Sequence, residues 1–201
     1  MKKIMFNEQY GLESAVLTGA KDMTRRTIKG YYKEVKEYDA NCEKHFIAET
    51  EDGDTVELKP HFEIGEKVAI AQCYSIISDR HDDWLYNKCA EMGINADNLL
   101  YEAGWFNKMF VKADLMPHQI RITDLWFERL QAISDEDCLK EGVEKWIDCY
   151  IVSGIMENQG KNNVCFDTPR EAFAALIDRI SGKGTWQRNP WVIAYTFELV
   201  K

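Results

Sequence analysis

A lysine, a threonine and two adjacent arginines fall within six residues of the stretch Gly19-Ala20-Lys21-Asp22-Met23-Thr24-Arg25-Arg26-Thr27. Ammonium and guanidinium groups so close together give charge-assisted hydrogen bonds to a phosphate, a carboxylate or a base edge. A hydroxyl among them becomes a nucleophile when a neighbouring base takes its proton. A lysine serves as that base only where burial or a nearby charge lowers its pKa. The stretch reads as a turn or a second short helix. In a helix Lys21 stands at i, i+3 and i, i+4 from Thr24 and Arg25, so the three share one face. The competing reading is a basic turn that only faces solvent.

The elements that must position these residues follow from hydrophobic period and from breakers. Asn7 caps residues 8–17 as an amphipathic helix with Leu12, Val16 and Leu17 on its apolar stripe, and Gly19 ends it. Residues 28–37 form a charged connector in which Tyr31 and Tyr32, with nearby Tyr38, either stack on a ligand or pack over the core. Two strands, 44–50 and 55–59, flank Glu51-Asp52-Gly53-Asp54, where Asp-Gly suits a tight hairpin. Residues 67–74 run apolar through Val68, Ala69, Ile70 and Ala71, the pattern of a central strand covered on both faces.

Residues 75–100 turn helical and polar, with one helix ended by Gly93. Residues 101–118 are irregular and carry Trp105, Phe106, Met109, Phe110 and Met116-Pro117-His118, which either line a base pocket or pack beneath an insertion. The longest strand candidate is 119–133, with a change of face near Trp126 and Phe127 of the kind a bulge produces. Ser134 and Thr168 open capped helices, the second with Pro169 first and Glu171 three after the cap. A last strand spans 191–200. Short strands joined by hairpins, with helices at the ends and sides, predict an α+β fold on a small, mostly antiparallel barrel. The expectation is one domain over 1–201 with a helical insertion at about 75–118.

No apolar run reaches the length of a membrane span, and the opening Met1-Lys2-Lys3-Ile4-Met5-Phe6-Asn7 lacks the apolar core of a signal peptide. A cytoplasmic protein with no membrane partner is expected. Cys42, Cys73, Cys89, Cys138, Cys149 and Cys165 are scattered through mostly apolar segments, which favours reduced core thiols over a disulfide framework. Cys42-x-x-His45 is the only pair with ligand-like spacing, and neither His81 nor His118 shows a partner pattern, so no metal and no cofactor are expected. The net charge of −9 excludes the broad positive potential that grips long duplexes. Residues 19–36 still hold six lysines and arginines against two acids, a local net of +4. One basic patch on an acidic body suits a small anionic or nucleotide ligand over a long polyanion. Gly182-Lys183-Gly184-Thr185 lacks phosphate-loop spacing and follows a helix instead of preceding one.

Gly19-x-Lys21-x-x-Thr24-Arg25-Arg26 after an N-terminal strand and helix resembles the signature of the ASCH domain, a branch of the PUA-like superfamily. Three later stretches resemble the family in the same order. They are Gly65-Glu66-Lys67-Val68-Ala69-Ile70-Ala71-Gln72, then Arg121-Ile122-Thr123 running on through Glu128-Arg129-Leu130-Gln131 to Ser134-Asp135-Glu136-Asp137, and last Asn189-Pro190-Trp191-Val192. The likeness spans nearly the whole chain and is of the kind seen in the longer ASCH proteins of phages and prophages. It implies a PUA-like pseudo-barrel with a cleft between the basic motif and the 67–74 strand, where relatives bind RNA or modified bases. Some ASCH proteins are amidohydrolases that remove an acyl group from N4-acetylated cytidine, and there a lysine, a threonine and a glutamate cooperate.

The resemblance carries two of those roles to Lys21 and Thr24. The strand expected to hold the glutamate has Gln72 instead, and no acid lies between Lys67 and Asp79. Glutamine hydrogen-bonds a base edge in both senses but accepts no proton as a carboxylate does. The expectation is therefore a binding module for a nucleotide, a modified nucleoside or a short single-stranded nucleic acid. Its ligand-binding residues would be Lys21, Thr24, Arg25, Arg26, Gln72, Tyr74 and Arg121. The alternative is an amidohydrolase on an N4-acylated cytidine-type nucleoside, with Lys21 and Thr24 catalytic and the carboxylate drawn from Asp124 or Glu128. Lys21 and Arg25 are expected to be exposed charges whose removal leaves stability unchanged.

Overall fold

The computed structural model describes residues 1–40, 43–157 and 162–200. Strand β1 (Lys3–Ile4) leads to Asn7, whose side chain accepts from the Gln9 backbone and caps a 3-10 turn over Glu8–Tyr10. Gly11, at φ 66°, re-aims the chain into helix α1 (Leu12–Thr18), which Gly19 ends in the left-handed region. The one expected helix is thus two pieces, split at a left-handed glycine. The basic stretch that follows is strand β2 (Met23–Thr27), neither a turn nor a helix. Alternation along it sets Thr24 and Arg26 on one face and Met23 and Arg25 on the other.

Residues expected as a charged connector lie largely in strand β3 (Tyr32–Ala40), which pairs antiparallel with β4 (Glu43–Thr50). Across the Asp52-Gly53 turn β4 pairs with β5 (Thr55–Leu58), and the three make a sheet of their own. Strand β6 (Lys67–Ile70) stops short of the expected end, and Tyr74 already begins helix α2 (Tyr74–Glu91). At His81 (φ −144°, ψ 42°) α2 leaves helical geometry and kinks. Short 3-10 turns fill the rest of the insertion before strand β7 (Gln119–Arg129).

Helix α3 (Asp135–Lys140) is capped by Ser134 as expected. The hairpin of β8 (Glu144–Trp146) and β9 (Cys149–Ile151) follows, then the short pair β10 (Met156–Glu157) and β11 (Asn162–Asn163). Helix α4 (Pro169–Ser181) opens with the full capping box of Thr168 and Glu171. Helix α5 (Thr185–Arg188) and strand β12 (Trp191–Val200) complete the described chain.

The main sheet runs β1-β6-β7-β12-β2, antiparallel except between β1 and β6. Its edges β1 and β2 stay open, so the architecture is mixed α+β with mostly antiparallel sheets, and no barrel closes among the described residues. The expected bulge falls at Thr123, where the β7–β12 register slips between Thr196 and Phe197, not near Trp126. One core joins α1, α3 and α4 to this sheet through Leu12, Val16, Ile122, Cys138, Phe173 and Leu176. A second, built on Tyr74, Ile77, Leu85, Cys89, Leu99 and Leu115, packs beneath the insertion. Each core side chain of this size contributes about 1.5–3 kcal/mol by leaving water, which holds α2 and the 3-10 turns of the insertion together.

Cys149 and Cys165 form a disulfide, Cα atoms 5.6 Å apart, against the expectation of reduced thiols throughout. The backbone bridge between Tyr150 and Phe166 sets them side by side, a contact that no local spacing announces. Cys73, Cys89 and Cys138 are free and buried. Cys42, and with it the Cys42-x-x-His45 pair, lies outside the described residues. No described helix is long and apolar enough to cross a membrane.

Candidate functional site

Lys21 and Arg25 are not surface charges: they are only 2% and 4% exposed. The turn after α3 explains this. Asp137 and Glu141 stand at i, i+4, which brings both carboxylates to one side of the helix end. Gly142 then takes φ 102°, and a side chain there would strike Leu12, so only glycine lets Glu141 swing in against β2. Lys21 Nζ donates to Glu141 Oε2 at 2.7 Å, to the Glu141 carbonyl at 2.7 Å and to the Met23 carbonyl at 2.6 Å. Arg25 donates through Nε to Glu128 Oε1 at 2.6 Å and through Nη2 to Asp137 Oδ2 at 2.8 Å. Its Nη1 stands 3.3 Å from Glu141 Oε1. The guanidinium crosses β12 to reach β7 where its cross-strand neighbour is the small Ala194.

Burial works against both cations, with different outcomes. For Lys21 it outweighs the attraction of Glu141 and lowers the pKa. For Arg25 the carboxylates of Glu141 and Glu128 outweigh burial and raise it. All three protons of a Lys21 ammonium nevertheless have acceptors, so the geometry is built for the cation. Two cations face three carboxylates here, so the Lys21 and Arg25 part of the expected basic patch is neutralised from within.

A cavity of about 750 Å³ opens beside β2. Lys21, Thr24, Arg25, Arg26 and Glu141 border it, Phe173, Leu176 and Ile177 of α4 give it an apolar wall, and Phe106, Asn107 and Lys108 bring the insertion to its rim. Phe106 is 82% exposed there. The Thr24 hydroxyl makes no hydrogen bond among the described residues. Arg26 donates through Nη2 to the Met5 carbonyl at 2.7 Å and lies over the Phe6 ring at 5.9 Å. Among the described residues no carboxylate comes within ion-pair distance of Arg26, so its other donors are available to a ligand. Lys108 pins the rim by donating to the Phe6 carbonyl and, at 2.9 Å, to Glu8 Oε1.

Gln72 is buried against α1 instead of bordering the cavity. Its Nε2 donates to Glu13 Oε1 at 2.9 Å, while Glu13 Oε2 and Gln72 Oε1 have no hydrogen-bond partner. Burial, the largest effect, raises the Glu13 pKa, with Glu8 reinforcing it against Gln72 and Lys108. A neutral Glu13 carries the O–H donor that Gln72 Oε1 lacks.

Of the residues expected to bind, Lys21, Thr24, Arg25 and Arg26 come together at the cavity, and Gln72, Tyr74 and Arg121 do not. Tyr74 sits in the second core, its hydroxyl accepting from the Lys112 backbone at 2.7 Å. Arg121 lies out on the main sheet, 3.5 Å from Glu198. Tyr31 is exposed, Tyr32 donates to the Lys29 carbonyl, and Tyr38 stacks on His45; none borders the cavity. The carboxylate at Lys21 is Glu141, since Asp124 pairs with Lys44 at 2.8 Å and Glu128 with Arg25. A capped helix with acids at 137 and 141 before a glycine was the visible signal for it, yet nothing local ties that helix to Lys21.

Burial raises the thiol pKa of Cys73, which borders the cavity, and pushes Cys138 up to about 12, so neither is a ready thiolate. Among the described residues no group of three or more His, Cys, Asp and Glu side chains is arranged to hold a metal ion. Compared with family models, with curated proteins and with solved structures, the chain matches none.

Proposed function

We propose that the cavity beside β2 binds a single nucleobase or nucleoside, modified ones included, and does not grip a run of phosphates. The observation that supports this best is the pairing of Lys21 and Arg25 with Glu141, Asp137 and Glu128. Those cations are engaged inside the protein, so the ligand meets the remaining donors of Arg26, the hydroxyl of Thr24 and the ring of Phe106. Arginine and hydroxyl donors suit the acceptors of a base edge, and an exposed aromatic suits its face. The volume falls in the range of about 300–1,000 Å³ usual for small-molecule sites. A nucleotide or a short single strand binds, in this reading, through the one base it inserts. The ASCH resemblance points the same way, and under it the open five-stranded sheet stands where the PUA-like barrel was expected. Calorimetric titration with cytidine, N4-acetylcytidine and the other nucleosides tests the proposal: micromolar binding of at least one is expected. Binding of long oligonucleotides alone would overturn it.

A second reading, hydrolysis of an N4-acylated cytidine, is favoured by one observation: Glu141 supplies the carboxylate beside Lys21 that Gln72 cannot. In that reaction Thr24 Oγ attacks the acyl carbon, Lys21 takes the hydroxyl proton and passes it to the leaving nitrogen, and the acyl–nitrogen bond breaks. Water then hydrolyses the acyl-threonine ester. The step needs Lys21 as a free amine, which the three acceptors around Nζ oppose, and this is why binding ranks first. Acetate release from N4-acetylcytidine by the wild type, lost in Thr24→Val, would reverse the ranking.

A further inference from the structure

We propose that His81 and His118 form a binding site for one divalent transition-metal ion, with zinc as the fitting occupant. The two side chains come from places far apart in sequence, the kink of α2 and the residue just before β7. Their Nε2 atoms stand 3.3 Å apart, the ring centroids 5.1 Å apart, and the ring planes at 74°.

The contact has the geometry of a hydrogen bond from one ring N–H to the other ring's nitrogen, its direction set by the tautomers. The same spacing fits a chelate: zinc–imidazole bonds of about 2.0–2.1 Å meeting at a near-tetrahedral angle set two nitrogens about 3.3–3.4 Å apart. A shift of the shared proton to Nδ1 leaves both Nε2 atoms as ligands, so an ion would replace the hydrogen bond.

The backbone is arranged to present the pair. His81 is the residue of α2 with non-helical dihedrals, and no proline or glycine stands there to cause the kink. His118 is fixed from the other side, because its carbonyl accepts from the Ile70 backbone at 2.9 Å. Both rings are half-buried, so water can reach the remaining coordination positions. With two protein ligands and an open shell, zinc or copper(II) is favoured among first-row ions, as imidazole ligands and the usual affinity order dictate. The ion would staple the kink of α2 to the start of β7, and the site is separate from the cavity beside β2, which neither histidine borders.

The test uses the full-length protein, freed of metal with a chelator that is then removed. Zinc is titrated by calorimetry near neutral pH, and cobalt(II) by its visible absorption. One equivalent of zinc at micromolar affinity and the intense bands of tetrahedral cobalt are expected. His81→Ala and His118→Ala should each weaken zinc binding at least tenfold, while His45→Ala and His61→Ala leave it unchanged. His118→Asn, compared with the wild type for its unfolding midpoint, guards against loss through misfolding. Zinc binding no tighter than millimolar, or equal affinity in a folded His81→Ala/His118→Asn double variant, would overturn the proposal.

Discussion

Beside the cavity, the two groups of buried charged and polar side chains differ in one respect. At β2 every donor of Lys21 and every guanidinium nitrogen of Arg25 has a partner; at α1 and just past β6, Gln72 Oε1 has none, and Glu13 Oε2 has no hydrogen bond and only the Lys108 ammonium 3.6 Å away. A network with all members satisfied is strengthened by the low dielectric around it, and it fixes the parts it joins. Here it joins β2, β7 and the turn after α3. A buried pair with two oxygens that lack hydrogen bonds pays for desolvation without full return, unless a proton supplies the missing bond. The cluster that looks reactive in sequence is therefore the structural one. Arg26, next to Arg25 but on the opposite face of the strand, keeps donors for a ligand.

Removing Arg25 should break this contrast most visibly. Arg25→Ala leaves Glu128, Asp137 and Glu141 with buried or half-buried charge and one cation fewer. A loss of about 3–5 kcal/mol in unfolding free energy is expected, read by urea denaturation. A loss below about 1 kcal/mol would return Arg25 to the surface role that its sequence suggested. Arg26→Ala should do the opposite, costing little stability but weakening nucleoside binding by about 1.5–3 kcal/mol, a tenfold to hundredfold change by calorimetry.

The difference between the two arginines shows where sequence reading stops. The capped helices α3 and α4, the Asp52-Gly53 hairpin and the covered strand β6 were all visible, because caps, turn residues and apolar runs are local signals. β2 was misread because a run of Lys, Thr and Arg carries no apolar period, and the carboxylates that bury it arrive more than a hundred residues later. Glu141, the Cys149–Cys165 bond and the His81–His118 contact share that cause, since each depends on a pairing that spacing does not encode. The cavity's location was legible at Lys21, Thr24 and Arg26, but its charge was not.

Smaller effects sharpen the contrast. Thr24→Val keeps the shape of a side chain whose hydroxyl has no protein partner, so stability should hold while nucleoside affinity falls by about 1 kcal/mol. Unchanged affinity would take Thr24 out of the site. Glu13→Gln supplies Gln72 Oε1 with a permanent donor. The folded-state pKa of Glu13 is raised above its ordinary 4.5, so its contribution to stability is complete below that value and is lost as pH rises through the folded pKa. Glu13→Gln should lack this loss and exceed the wild type by up to about 1 kcal/mol near neutral pH, with little difference in acid. Equal pH profiles for the two proteins would show Glu13 to be ionised and served by Lys108.

The salt dependence of binding reaches the central claim most directly. If Lys21 and Arg25 are neutralised inside the protein, a nucleoside or short oligonucleotide displaces few counterions. Plotting log affinity against log salt should then give a slope between about 0 and −2, with a free nucleoside near zero. A slope of about −6 or steeper for the oligonucleotide would mean that phosphates meet an extended basic surface, and would contradict the account.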